Sequence, residues 1–410
     1  MDTLPETQPE GPAPTRRRFR KAALVVVITL VALFLGAWAA HRPLARWYIL
    51  REARARGVEL EFKEMSLGLE KIVLGDVRAR LEGVAGVSLR ADEVTIKLVD
   101  FEPRRVDARK AAVAIEGPID ERVRALSAWT RSHEEAMRVP AAGDVRVDWA
   151  PWMSVSGHGT SAGDGSGRFE GDAAFEGTKL GLVGVRWARG APVTVGLGKG
   201  EPEGAPVRAV VDIDKTPMSA TVTLAPLLVD AAAAALGLTA PPAMRGARAE
   251  GTATVWLGTP ESKGMPQGNA SLEVTGWVPP HPKELDGIVF GKKTKLGASF
   301  ALTPDLTEVR ISKATVEAGA FRLSGQGTVN RQKDHASIRM DLSGSIPCSE
   351  LGVSVVKTHV RGLLGDLLGG AARMGLGGTA KVAVRVAADT RKLDDARLDQ
   401  SVVLACTLGR

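Results

Sequence analysis

Aromatic side chains are scarce, at 4% of the chain, and Tyr48 is the single tyrosine. Any core must therefore be assembled mainly from Ala, Val and Leu within the 44% of residues that are hydrophobic. Cysteine is nearly absent: Cys348 and Cys406 are the only two, and they form no C-x-x-C pair. The six histidines (His41, His133, His158, His281, His335 and His359) are too widely separated for an H-x-x-x-H pair, and no EF-hand spacing occurs. No metal or cofactor is indicated. A strong charge excess is also missing from the body. Of the net +7, residues 1–60 supply +5, leaving +2 for the other 350 residues. That near-neutral body argues against a nucleic-acid partner.

Long apolar runs are missing as well, with one exception. Ala22 to Ala40 reads AALVVVITLVALFLGAWAA and contains no charge. Its 19 residues would span about 28 Å as a helix, close to the thickness of a bilayer's hydrocarbon core. Arg16, Arg17, Arg18, Arg20 and Lys21 precede it, and Arg42, Arg46, Arg51, Arg54 and Arg56 follow it. These flanks suit anionic head groups but balance one another, so charge alone does not orient the span. A Pro-rich polar tail over 1–21 and a long C-terminal body favour the N-terminus inside and the body exported. The rival is a cleaved signal peptide ending at Ala37-Trp38-Ala39, although the run exceeds a usual signal core. Both readings export the body. Cys348 and Cys406 then either pair as a disulfide or act as two small buried hydrophobes.

After the span, Arg42 to Arg56 reads as a short juxtamembrane helix stopped by Gly57, with Trp47 and Tyr48 as interfacial rings. From Val58 the period changes to two. Val58–Phe62 and Val94–Leu98 alternate apolar and charged residues, which predicts an N-terminal β segment over 58–118. Ile119 to Arg138 predicts an inserted helix within 119–140, with Val123, Leu126 and Trp129 on one side. Residues 141–350 return to strands as a central β-rich domain, interrupted by a short helix in the alanine-rich Pro226–Leu238. Residues 351–410 read as a Gly-rich amphipathic helix over Ser354–Met374 followed by strands Thr379–Ala388 and Ser401–Leu408.

The strands share a one-sided pattern. Val94, Ile96 and Leu98 face one way, as do Ala253, Val255 and Leu257; so do Leu296, Phe300 and Leu302. Phe321 and Leu323, then Ile338, Met340 and Leu342, and finally Val382, Val384 and Val386 repeat the scheme. Such faces must be buried. One solution is an ordinary sandwich or barrel core. The sharper one is an elongated, curved antiparallel sheet, a β-groove or taco-like fold, whose apolar face is partly open to acyl chains. These 17 residues are then the candidate groove lining.

Gly159-Thr160-Ser161-Ala162-Gly163 fits the nucleophile elbow G-x-S-x-G, which requires a strand before the serine and a helix after it. Here Asp164-Gly165-Ser166-Gly167 and a strand beginning at Arg168 follow, so a hairpin loop is the expected structure.

The layout resembles the bacterial AsmA-like family, which includes TamB-type envelope proteins. The resemblance rests on the single N-terminal helix running through a basic stretch into Gly57–Phe62, then Met65–Leu69, Val73–Arg80 and Leu89–Val99. Leu224–Asp230 and Leu342–Gly344 have the same character. It implies a single-pass inner-membrane anchor, a periplasmic β-groove, and a non-enzymatic part in phospholipid transport or outer-membrane assembly. Membrane lipids are the implied partners, with other envelope proteins as candidates. The alternative is a periplasmic scaffold for an envelope machine without lipid transport. A tethered hydrolase using Ser161 is the third reading.

Overall fold

The computed structural model describes residues 42–410 apart from 101, 118, 151–152, 176, 216, 236–243, 258–264, 280–290, 304–306, 320, 333–334, 350–375, 393–396 and 409–410. The expected membrane span, the basic residues Arg16 to Lys21 and the Gly-rich helix at 354–374 lie outside the described residues. The chain divides into two units, Met1–Arg56 and Gly57–Arg410. In the first, residues 42–55 form helix α1. An Arg56–Glu52 ion pair at 2.9 Å ties its last turn, and the Arg51 guanidinium sits 5.2 Å from the centre of the Trp47 ring. Trp47 and Tyr48 are exposed. Among the described residues, no helix is long and apolar enough to cross a membrane.

The second unit is one large sheet curled into a half-barrel, and the protein is mainly β, with 66% of the described residues in strands. Gly57, at φ +70°, turns the chain into it. β1 (Val58–Glu61) and β2 (Glu64–Leu67) share one edge of β3 (Lys71–Leu81). β4 (Val87–Val99) and β5 (Glu102–Ile115) follow as an antiparallel meander. The next segment crosses over through α2 (Ile119–Ser132) and a 3-10 turn (Glu134–Arg138). β6 (Ala141–Trp149) therefore lies parallel to β5.

Antiparallel pairing then resumes and continues to the end of the sheet. The order is β7 (Met153–Ser161), β8 (Gly167–Phe175), β9 (Thr178–Trp187), β10 (Val193–Leu197), β11 (Val207–Asp212) and β12 (Met218–Leu228). After α3 (Val229–Ala235) come β13 (Arg248–Leu257), β14 (Gln267–Thr275), β15 (Lys293–Leu302) and β16 (Glu308–Ala318). β17 (Phe321–Arg331), β18 (Ala336–Pro347), β19 (Leu376–Asp389) and β20 (Arg397–Leu408) complete it. Among the described residues, no ladder joins β20 to β1 or β2, so the sheet is not closed.

Four expectations are corrected in detail. The sheet is not wholly antiparallel, because a helical crossover delivers β6 on the same heading as β5. The inserted helix is shorter than Ile119–Arg138: α2 stops at Ser132 and a 3-10 turn takes over. The Pro226–Leu238 segment begins as strand, since β12 absorbs Pro226 at a bulge between Leu224 and Leu227. The C-terminal strands are longer than the sequence pattern gave, because cross-strand pairing carries the ladder past the last alternating residue.

α2 forms because its apolar side has a surface to cover. Ala125, Leu126 and Trp129 pack on Val84, Val87 and Ile115, with Val113, Val147 and Trp149 alongside. The Trp129 indole donates a hydrogen bond to the Gly57 carbonyl at 3.1 Å, and its ring stacks on His133 with centroids 5.1 Å apart.

Candidate functional site: an apolar face across the sheet

Residues paired across neighbouring strands share a face of the sheet, so the register shows how the one-sided strands line up. One row begins Met65–Leu74–Val94–Ala108–Gly143 across β2 to β6. It continues Gly159–Phe169–Val185–Val195–Ala209–Val222 across β7 to β12. It ends Ala253–Ala270–Ala298–Ala314–Gly325–Leu342–Val384 across β13 to β19. Every member is apolar or glycine.

A second row, two positions along the strands, is just as complete. It runs Ala111–Val145–Gly157–Gly171–Val183–Leu197–Val207–Leu224 from β5 to β12. It goes on through Gly251–Leu272–Leu296–Val316–Leu323–Gly344–Val382–Val402 to β20. A third, on the other side of the first, covers Val193–Val211–Ala220–Val255–Gly268–Phe300–Ile311–Gly327–Met340–Val386.

The reverse face is polar. Between the first two rows lies Arg208–Thr223–Thr252–Ser271–Gly297–Thr315–Ser324–Ser343. Ion pairs dress the strands' solvated surface, as at Arg146–Asp148 (2.8 Å) and Arg385–Asp341 (3.3 Å). Burial inside Asp107's surroundings pushes its carboxyl up, but hydrogen bonds from Arg105 and Lys97 outweigh this and hold it below the ordinary range.

The apolar face is sealed along one side and half-open along the rest. Beyond the second row, three packed clusters centre on Phe321 and Ile346, on Ala247, Ala249, Val274 and Trp277, and on Val84, Val87 and Ile115. There the buried Thr294 hydroxyl donates to the Trp277 carbonyl at 2.9 Å. By contrast, the first row from Val94 to Ala298 and most of the third row are only half-buried.

The candidate lining residues all lie on this face. Val94, Ala253, Leu342 and Val384 stand in the first row; Leu296, Leu323 and Val382 in the second; Val255, Phe300, Met340 and Val386 in the third. Leu302 and Ile338 extend the face by a further row through Val309 and Val329. Leu257 stands opposite Met218, Ile96 between Ile72 and Val106, Leu98 opposite Pro103 and Phe321 opposite Ala318. Phe321, Leu323, Val382 and Val384 are not open lining: they pack against one another in a buried cluster. Sequence reasoning missed the members on β6 to β11, where Gly143, Gly157, Gly159 and Gly171 blunt the hydrophobic alternation. The short Val183–Val185 and Val193–Val195 repeats were the available signal.

Ser161 ends β7 in a hairpin leading to β8, and no helix follows it. Its hydroxyl donates to the Ser166 carbonyl at 3.4 Å. The Asp164 carboxylate accepts from the Ser166 hydroxyl and backbone N–H, which holds its pKa below the ordinary value. His158 meets Asp144 at 3.0 Å on the polar face. Among the described residues, no cluster of three or more His, Cys, Asp or Glu could hold a metal ion. Cys348 is fully buried. Pro347 pairs with Thr379 and Cys406 with Gly378, so the register brings both cysteines to the same end of β19. The side chain of Cys406 lies outside the described residues. No family model matches the chain, and no curated protein or solved structure matches it.

Proposed function

We propose that this chain is a non-enzymatic envelope protein, anchored in a bacterial inner membrane by residues 22–40, whose periplasmic sheet cradles lipid acyl chains. Its role would be phospholipid transport or support of envelope assembly. The observation carrying this reading is the unbroken apolar row from Met65 to Val384, half-buried over most of its length. Seventeen inter-strand steps at about 4.8 Å give a contour of roughly 80 Å. Apolar surface left incompletely covered over such a length is available to a ligand or partner. Each methylene laid on such a face gains about 0.8 kcal/mol, so ten in contact would give about 8 kcal/mol before ordering costs. The curl of the sheet and the layout shared with AsmA-like proteins support the same reading.

Native mass spectrometry of the detergent-extracted full chain tests it. Phospholipid is expected to co-purify; a chain that is consistently lipid-free, with its apolar face closed upon itself, would sink the proposal. The scaffold reading draws on a different feature. Among the described residues β20 pairs only with β19, which leaves a twelve-residue edge, and unpaired edges recruit strands from partners. Crosslinking in cells separates the two, since a scaffold gives discrete protein adducts and a lipid carrier gives lipid adducts.

A further inference from the structure

A cavity of about 470 Å³ lies between the C-terminal part of α2 with its 3-10 turn and the hairpin ends that join β7 to β8, β9 to β10 and β11 to β12. That volume falls in the usual range for ligand sites. Its walls differ in chemistry. On the sheet side are Trp187, Val193 and Ile213. Trp187 pairs with Gly167, and the indole lies so close that a Cβ on Gly167 would come 2.1 Å from the ring. Val193 begins the third apolar row, so the cavity shares a wall with the apolar face. On the helix side are Thr130, Arg131 and Arg138.

The charges are sorted within the cavity. Arg189 is committed to Glu134 at 2.5 Å, and Asp164 is committed to Ser166. Among the described residues, Arg131 gives only its Nε, to the Ser127 carbonyl at 3.3 Å, leaving its terminal nitrogens for a ligand. Neither Arg131 nor Arg138 has a carboxylate partner among the described residues. Arginine forks suit phosphate oxygens. The lining carries three arginines against Glu134, Asp164 and Asp214, no net formal charge, so the Arg131 and Arg138 forks can meet a phosphodiester's single charge while a monoester's second charge would find no counter-charge.

We infer that this cavity binds the phosphodiester head of a membrane glycerophospholipid, with the acyl chains continuing along the third apolar row from Val193. The inference rests on the lipid-cradle reading and adds a place and a head-group class to it. The test is native mass spectrometry of the detergent-extracted full chain, wild type and Arg131→Gln/Arg138→Gln, offered phosphatidylglycerol, phosphatidic acid and diacylglycerol of matched chains. Wild type should prefer phosphatidylglycerol to diacylglycerol by roughly tenfold or more, the scale of charge-assisted hydrogen bonds, and should prefer it to phosphatidic acid. The double variant should lose that preference while still taking diacylglycerol, with its strand circular dichroism unchanged.

A variant that keeps the preference would overturn the head-group site and leave the lipid cradle standing. Wild type that takes none of the three lipids, diacylglycerol included, would overturn the cradle itself. Inorganic phosphate or glycerol phosphate binding as tightly as the lipid would overturn the lipid as the source of the phosphate.

Discussion

Gly157 and Gly171 face one another across β7 and β8 in the second apolar row. A Cβ on Gly157 would lie 2.1 Å from the Glu170 carbonyl oxygen and 2.4 Å from the Gly171 Cα. Both obstacles are backbone, which a side-chain rotation cannot move. Gly157→Val should therefore destabilise the protein by about 1–3 kcal/mol, the usual cost of overpacking. Urea unfolding would show a lower midpoint with an unchanged slope; an unchanged midpoint would mean the strands part at no cost. Such glycines look like weak strand formers in sequence. Only the opposed glycine on the neighbouring strand shows that the position demands absence of a side chain.

At the scale of elements, β4 and β5 are tied on their polar side by Asp107, which meets Arg105 at 2.6 Å and Lys97 at 3.1 Å. Its pKa is depressed in the folded state, so its stabilisation is present above the unfolded value near 4 and is lost as pH falls through the folded value. The pair is surface-accessible, so the effect is under about 1 kcal/mol. Thermal unfolding of Asp107→Asn should fall slightly below wild type near neutral pH, with the difference shrinking as the pH falls below the ordinary carboxylate range and through the depressed folded value. A difference that persisted in acid would point to packing instead. α2 illustrates how far elements were legible. Val123, Leu126 and Trp129 recur at helical spacing, and that predicted a helix. Its end at Ser132 and its consequence, the parallel β5–β6 pair, were not readable, because a crossover's direction depends on where the next strand docks.

For the molecule as a whole, the consequential feature is the alignment of small apolar residues along the sheet. Ala253, Ala270, Ala298 and Ala314 form an unbroken alanine stretch of the first row. Small side chains leave standing room above the sheet. Under the lipid cradle proposed above, a carboxylate there would meet acyl chains instead of water, while the half-buried position tolerates it in the lipid-free fold. Ala270→Asp is accordingly expected to retain strand circular dichroism but to carry several-fold less phospholipid through purification, given the cost of setting a charge among apolar groups. Equal lipid loading would mean that acyl chains do not reach the middle of the sheet.

Period-two alternation is written locally, in each strand's own residues. For that reason the sequence by itself determined the mainly β body, the strands that carry an apolar side and the serine hairpin that leads into another strand. Register is set between residues far apart in the chain, and a one-residue slip would turn a whole strand's apolar side over. Tertiary structure alone therefore decided that the separate apolar sides fall into continuous rows, that Phe321 and Val382 are packed away while Val94 and Val222 are half-open, and that Arg131 and Arg138 meet Trp187 around one cavity.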